Sequence, residues 1–587
     1  MDEKKSKALK MIAKTVIYAF AGFGVIFILI LIGVLSLMSP KSKLAAVPKN
    51  TVLTLNLDTN YAEIRQDDFF AEFTDQSVYG IFDLVRAVNM AATDERVKAL
   101  SATLNVTSLS LAQVQDLSEA LAYFKSQGKK TYLFSSTMGS FGQGSKEYAL
   151  ATLFDEIWLQ PHSDIGMTGV NIEVPFFKNI LQKVGVEPEF YTRYEYKTAV
   201  ASLLNADFTP TYKEELTHLG GGLYHQLTQM MAQNRKLDLS VIDDAVNQAP
   251  VFADAALSKG LIDVVGYRYE LSEKLQKEYG AEFYDMADYM AHLGEVDNDD
   301  LPEVAFLVLE GMIESGQSSD NPLNDSIIGS ETVLEQIGEL EGRPNLKALV
   351  LRINSPGGSY TASDEIRAAL VNLKNKKNIP IVVSMSTYAA SGGYFISLAG
   401  DYIFADPATI TGSIGVLGGK FVVKGLMDKL DINWGDVKFG QNAGILSINH
   451  KFSDTEKAVF EKSLDEVYAD FTSKVAEVRQ IDVQKMDEIA RGRVWLGKTA
   501  KDVGLVDELG GLQHAIIKAK TMAGISQDAK FALKYYPRRE TFQEKLTKFI
   551  ESGGNLPMMK ALSLTDEIKA LYRLKYDTAL VPFVVKM

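Results

Sequence analysis

The chain repeats itself, and that duplication limits its possible folds more than any other feature. Val52-Leu-Thr-Leu-Asn-Leu57 matches Val304-Ala-Phe-Leu-Val-Leu309 in pattern at an offset of 252. Val97-Lys-Ala-Leu100 pairs with Leu346-Lys-Ala-Leu349 at 249, and Asp155-Glu-Ile-Trp-Leu-Gln-Pro161 with Asp401-Tyr-Ile-Phe-Ala-Asp-Pro407 at 246. Lys259-Gly-Leu-Ile-Asp263 and Val503-Gly-Leu-Val-Asp507 stand 244 apart. Chance matches scatter, whereas small insertions and deletions in a duplicated domain leave a slow drift of this kind. Each half alternates short β-branched or aliphatic runs with helical stretches such as Leu109 to Ser126 and Ser363 to Asn375. That alternation predicts an α/β protein of two tandem domains built from βα units around a mostly parallel sheet. The boundaries expected are 50–292 for the first repeat, an acidic Pro-containing linker at 293–303, 304–530 for the second repeat and a C-terminal extension at 531–587. A length of 587 residues is beyond what one core usually fills, in agreement with two or more domains.

Residues 16–38 form an uncharged apolar run, and about 20 such residues cross a bilayer. The run exceeds the usual signal-peptide core and has no polar face, so one N-terminal transmembrane helix is expected. Lys4, Lys5, Lys7, Lys10 and Lys14 precede it, against Lys41, Lys43 and Lys49 after it. The positive-inside rule then puts residues 1–15 in the cytoplasm and the bulk of the chain on the other side. Leu44-Ala-Ala46 loosely resembles a small-residue cleavage site and leaves removal of the anchor open. A net charge of −14 and a pI near 5.2 leave no basic stripe for nucleic acid. Without cysteine there is no disulfide, thiolate zinc site or cysteine nucleophile, and no HExxH or comparable metal cluster stands in the sequence. Neither a metal nor a cofactor is expected.

The chemistry concentrates between Asn354 and Val416. Ala348-Leu-Val-Leu-Arg-Ile-Asn354 reads as a buried parallel strand that stops at the glycine turn Ser355-Pro-Gly-Gly-Ser359. Glycines there let backbone N–H groups approach a ligand closely. A second strand, Ile381-Val-Val-Ser-Met-Ser386, leads into Tyr388-Ala-Ala-Ser391-Gly-Gly-Tyr394, where small neighbours leave the Ser391 hydroxyl uncrowded at a helix start. In the first half Ser145 falls opposite Ser391, but Lys146 and Glu147 replace the two glycines, and Asn105-Val-Thr-Ser-Leu109 has no glycine to shape an amide pocket. That half is expected to keep the fold without its own nucleophile. Conversely, Tyr194-Glu-Tyr-Lys197-Thr-Ala-Val200 has no lysine counterpart around Gly440-Gln-Asn-Ala-Gly444.

A serine hydroxyl needs a base. His162, His218, His225, His292, His450 and His514 are scattered outside any catalytic motif. A lysine buried among apolar or aromatic neighbours can lose its charge and serve instead, and Lys197 is a candidate on that ground. A lysine beside tyrosines is more often a solvated surface residue, and a small-Ser-Gly-Gly turn often only packs a helix against a strand. Residue chemistry alone leaves both readings open.

The motifs Asn354-Ser-Pro-Gly-Gly-Ser359, Ala390-Ser-Gly-Gly-Tyr394, Thr411-Gly-Ser-Ile-Gly415, Tyr196-Lys-Thr-Ala199 and Gly504-Leu-Val-Asp507 together resemble the signal peptide peptidase A family in its long, duplicated, membrane-anchored bacterial form. The Ser-Pro-Gly-Gly turn also occurs in Clp proteases and other crotonase-like folds, so the weight lies in order, spacing and duplication. The resemblance implies crotonase/Clp-protease-like domains and a Ser/Lys dyad peptidase, with Ser391 as nucleophile and Lys197 as general base. It puts the Gly358 and Gly392 amides in the oxyanion hole and Ser413 as the serine that orients the lysine. It also implies a homotetramer seated on the cell inner membrane, its catalytic domains on the periplasmic side, degrading cleaved signal peptides and other hydrophobic peptides. One departure is local: the lysine motif continues Ala-Val-Ala-Ser-Leu-Leu, where relatives often carry an acidic or proline residue. Two rival classes are a crotonase-like acyl-CoA enzyme, which an outward-facing domain would separate from its cofactor, and a non-catalytic membrane scaffold of the same fold.

Overall fold

The computed structural model describes residues 46–64, 79–139, 142–293, 300–321, 324–526 and 528–537. The expected anchor at 16–38, the cytoplasmic residues 1–15, linker residues 294–299 and the extension beyond 537 lie outside the described residues. Among the described residues no helix is long and apolar enough to cross a membrane.

From Lys49 onward the described residues form one compact unit that contains two large sheets. The first has six parallel strands, in the order Val264–Val265, Glu156–Leu159, Lys130–Ser135, Val97–Thr103, Thr51–Asn56, Glu282–Asp285. The second repeats that order with Glu508–Leu509, Tyr402–Ala405, Ile381–Ala390, Leu346–Ser355, Glu303–Glu310 and Ala532–Tyr536. Its last strand pairs with Glu303–Leu307 just past residue 530, as Glu282–Asp285 pairs with the opening strand of the first repeat. The central strands are buried along most of their length, which accounts for their near-continuous aliphatic sequence.

Two boundaries differ from expectation for physical reasons. Helix Tyr360–Lys377 starts before Ser363 because the Ser359 side chain caps it, accepting from the Ala362 amide. Strand Ile381–Ala390 runs past Ser386 because Tyr388–Ala390 finds a second partner in Ile410–Gly412. The strand extension depends on pairing with distant chain and has no local signal.

The repeats meet across a buried ionic cluster. Arg352, wholly buried on Leu346–Ser355, donates to Glu63 at 2.8 Å and to Asp116, both from the first repeat. It also donates to the Ser384 and Ser386 hydroxyls on the neighbouring strand, at 2.8 and 3.0 Å. Burial pushes the nearby Glu310 carboxyl up to about 8 and raises Asp406 and Asp116 as well, while the Arg352 guanidinium opposes the shift in each. Phe82 of helix Ile81–Thr93 packs on Phe306 of the second sheet with ring centroids 4.4 Å apart.

A two-stranded arm makes the second junction. Glu187–Arg193 of the first repeat pairs antiparallel with Val416–Val422 of the second, with Arg193 opposite Val416. That register sets where the next residues of the first repeat fall.

Candidate active site

Ser391 stands between strand Ile381–Ala390 and helix Gly392–Ser397 with φ 55° and ψ −115°. A side chain rarely adopts a positive φ, and such strain persists only where the surroundings impose it. Here the Ser391 amide donates to Gly412 O at 2.8 Å and the Ser391 carbonyl accepts from Phe395 N at 2.8 Å. The hydroxyl is held at the head of the helix in a water-excluded position.

Lys197 arrives from the arm. It lies four positions after Arg193, and Ser413 lies three positions before Val416, so the antiparallel pairing of Arg193 with Val416 brings the two side chains together. A turn of the second repeat supports the lysine segment from behind. The Tyr196 amide donates to Arg491 O at 3.2 Å, the Gly492 amide to Ile414 O at 2.8 Å, and the Arg491 guanidinium pairs with Glu195 at 2.9 Å. Gly492 touches the backbone of Lys197 so closely that a Cβ there would lie 2.4 Å from Lys197 N.

The Lys197 Nζ lies 2.8 Å from Ser391 Oγ, 2.9 Å from Ser413 Oγ and 2.9 Å from Ser413 O. As an ammonium, Nζ donates to all three oxygens; as a neutral amine it keeps two N–H donors for Ser413 and can turn its lone pair to the Ser391 hydroxyl. Burial lowers the lysine from its ordinary 10.5 to about 7, against an opposing pull from Glu215. An amine that is substantially neutral near pH 7 can accept a proton from serine.

Gly358 follows the strand that ends at Ser355, with φ +153°, and a Cβ there would lie 2.0 Å from Ile313 O. Only glycine fits that approach. Gly392 opens the helix after Ser391, where an amide has no intrahelical acceptor, and a Cβ on it would lie 3.3 Å from Gly358 N. The five residues singled out in the sequence therefore gather in one place: Ser391, Lys197 and Ser413 in direct contact, with Gly358 beside Gly392 at the serine.

The matching place in the first repeat is filled. Ser145 Oγ accepts from Gly169 N at 2.8 Å, Lys146 Nζ donates to Thr107 O at 3.1 Å, and Glu147 accepts from Thr107 N at 3.2 Å. The two side chains that replace glycines thus occupy the turn that would have offered amides. A cleft of about 740 Å³ beside Asn56, Asp58, Asn105 and Tyr269 lies in this repeat and shares no residue with the serine–lysine centre. Among the described residues no group of His, Asp and Glu side chains could hold a metal ion.

Sequence reasoning missed Glu215. This buried residue of helix Pro210–Arg235 accepts from Thr198 Oγ1 at 2.9 Å and from Val494 N at 3.0 Å, next to Lys197. In Thr211-Tyr-Lys-Glu-Glu215 it looks like any surface helical glutamate, so no local signal could have found it.

The sequence profile of peptidase family S49 matches residues 123–282 and 373–526. Protease 4 of Haemophilus influenzae is 30% identical over 579 residues, covering 93% of this chain and 92% of that protein. Protease 4 of Salmonella typhi is 30% identical over 78% of this chain and 74% of its own length. The chloroplastic serine protease SPPA of Arabidopsis thaliana is 28% identical over 84% of this chain and 72% of its own length.

Proposed function

Because the chain belongs to peptidase family S49 and is a serine peptidase, we propose that Ser391 is its nucleophile and Lys197 its general base. The observation that carries this reading is the 2.8 Å contact between a buried lysine amine and a serine hydroxyl at a strained strand-to-helix turn. Neutral Lys197 takes the proton as Ser391 Oγ attacks a peptide carbonyl, and the oxyanion forms against the Gly358 and Gly392 amides. The lysine ammonium then protonates the leaving amine as the C–N bond breaks. Water, deprotonated by the same amine, attacks the acyl-enzyme and restores the serine. Ser413 holds the amine in line throughout through its hydroxyl and carbonyl.

The same reading takes the two repeats as crotonase/Clp-like domains, the first supplying the lysine and the second the serine. It anchors the chain in the cell inner membrane through residues 16–38, with the catalytic repeats on the periplasmic side and cleaved signal peptides and other hydrophobic peptides as substrates. An anchored enzyme meets such peptides where they remain after cleavage, at the membrane. Ile180, Val184, Trp434, Val437 and Phe439 are exposed and supply apolar surface that a homotetramer would cover.

The test is hydrolysis of a quenched apolar peptide by the detergent-solubilised full chain, over about pH 6 to 10, for wild type, Ser391→Ala and Lys197→Ala. Loss of turnover in both variants and a wild-type rate that climbs through one basic limb are expected. Wild-type turnover in either variant would refute the dyad.

A further inference from the structure

Glu215 is a buried carboxylate that the dyad chemistry leaves without a task. Its two oxygens join separate parts of the centre. Oε2 accepts from Thr198, the residue after the lysine, and Oε1 from the amide of Val494. The residue before Val494, Arg493, accepts the Ser413 amide on its carbonyl at 2.7 Å. One side chain therefore ties the segment that carries the amine to the strand behind the serine that orients it. The charged and titratable groups facing it are Lys197 on the arm segment, Arg493 at strand Val494–Leu496, and Tyr212 one turn earlier on its own helix. Arg493 is itself held over the Tyr196 ring, 3.5 Å from its centroid.

We propose that Glu215 is a positioning residue for Lys197, pinning the lysine segment to the Ser413 strand and, through its negative charge, holding a proton on the amine so that hydrolysis begins at a higher pH than it otherwise would. The inference rests on the Ser391–Lys197 reading and adds to it the control of the base. Burial pushes Glu215 up to about 7, close to the value at which Lys197 titrates, so its charge changes over the same pH range as that of the amine. A carboxylate near a lysine favours the ammonium, and without its charge the amine is neutral at lower pH.

The experiment is the pH–rate profile of the detergent-solubilised full chain on a quenched apolar peptide, for wild type, Glu215→Gln, Glu215→Asp, Thr198→Val and Ser391→Ala. Glu215→Gln is expected to move the basic limb toward acid by about 1 pH unit, the low end of what a neighbouring opposite charge does. Glu215→Asp keeps the charge and should leave the limb in place at a reduced rate. Thr198→Val removes a hydrogen bond that favours the ionised carboxylate, so the limb should move the same way by less. Limb position is independent of the fraction of folded enzyme, and Thr198→Val carries the test alone if the glutamine variant does not fold. A limb unmoved in the variants that can be measured, whatever their rates, overturns the proposal while leaving the dyad intact. Full activity in Ser391→Ala instead overturns the dyad and the proposal with it.

Discussion

Gly492→Ala should disable the enzyme without touching a reacting atom. Gly492 sits at φ +89° in the turn that backs Lys197, and an added Cβ would stand 2.4 Å from Lys197 N, 2.6 Å from its Cα and 2.7 Å from its Cβ. All three are backbone or near-backbone atoms that no rotamer change can move aside. Restoring an ordinary 3.4 Å contact requires a relative retreat of about 1 Å. Lys197 Nζ starts 2.8 Å from Ser391 Oγ, so the same displacement along that line opens the contact to about 3.8 Å, beyond hydrogen-bond reach. Misplacement on this scale costs about 100-fold in rate. The left-handed conformation adds about 1–2 kcal/mol of instability for any residue with a Cβ. Gly280→Ala separates the two effects. Gly280 has φ +56° with nothing within 4 Å of the added methyl, so it should lose stability while keeping wild-type kcat. The assay is kcat on the quenched peptide together with Tm for both variants. A folded Gly492→Ala enzyme with kcat within about threefold of wild type would refute the idea that this turn fixes the amine.

Other perturbations read separate parts of the structure. Ser413→Ala removes the hydroxyl that accepts from the amine but keeps the carbonyl contact, and should lower kcat about 10-fold with little change in KM, the worth of one hydrogen bond. Arg352→Met leaves Glu63 and Asp116 buried without their cation and should cost about 3–5 kcal/mol in chemical denaturation, part of it recovered when Asp116→Asn is added. Lys197→Met should abolish hydrolysis yet raise stability at neutral pH. The folded state binds this proton less tightly than the unfolded chain, with the folded value near 7 against an ordinary 10.5, so folding carries its full cost below about pH 7. Wild-type stability then recovers as pH climbs toward 10.5, and the advantage of the methionine variant should narrow over that window; an advantage that widens would contradict the assignment.

Much of the fold was legible because it is written locally and twice. The aliphatic runs recur at a slowly drifting offset, and the two sheets share one strand order. Ser391 was legible for the same reason: its strained turn is built by its own neighbours, a strand end on one side and two glycines on the other. The filled site of the first repeat was legible too, since Lys146 and Glu147 stand where those glycines would be.

From the sequence alone came the duplication, the two glycine turns, the serine and the absence of a histidine motif to serve it. These depend on residues within a few positions of one another. Lys197 was named by resemblance to a family and not by its own neighbours; what brings it to Ser391 and what holds it there were decided in three dimensions. Lys197 and Ser391 are 194 residues apart and meet only through the register of Glu187–Arg193 on Val416–Val422. Glu215 reaches Val494 across 279 residues, and Arg352 reaches Glu63 across 289. Lysine, glutamate and arginine are among the commonest surface residues, and nothing in their own chemistry marks these three. Burial distinguishes them, because removing water is what lowers the affinity of an amine for its proton and raises that of a carboxyl, and burial exists only once distant segments have packed.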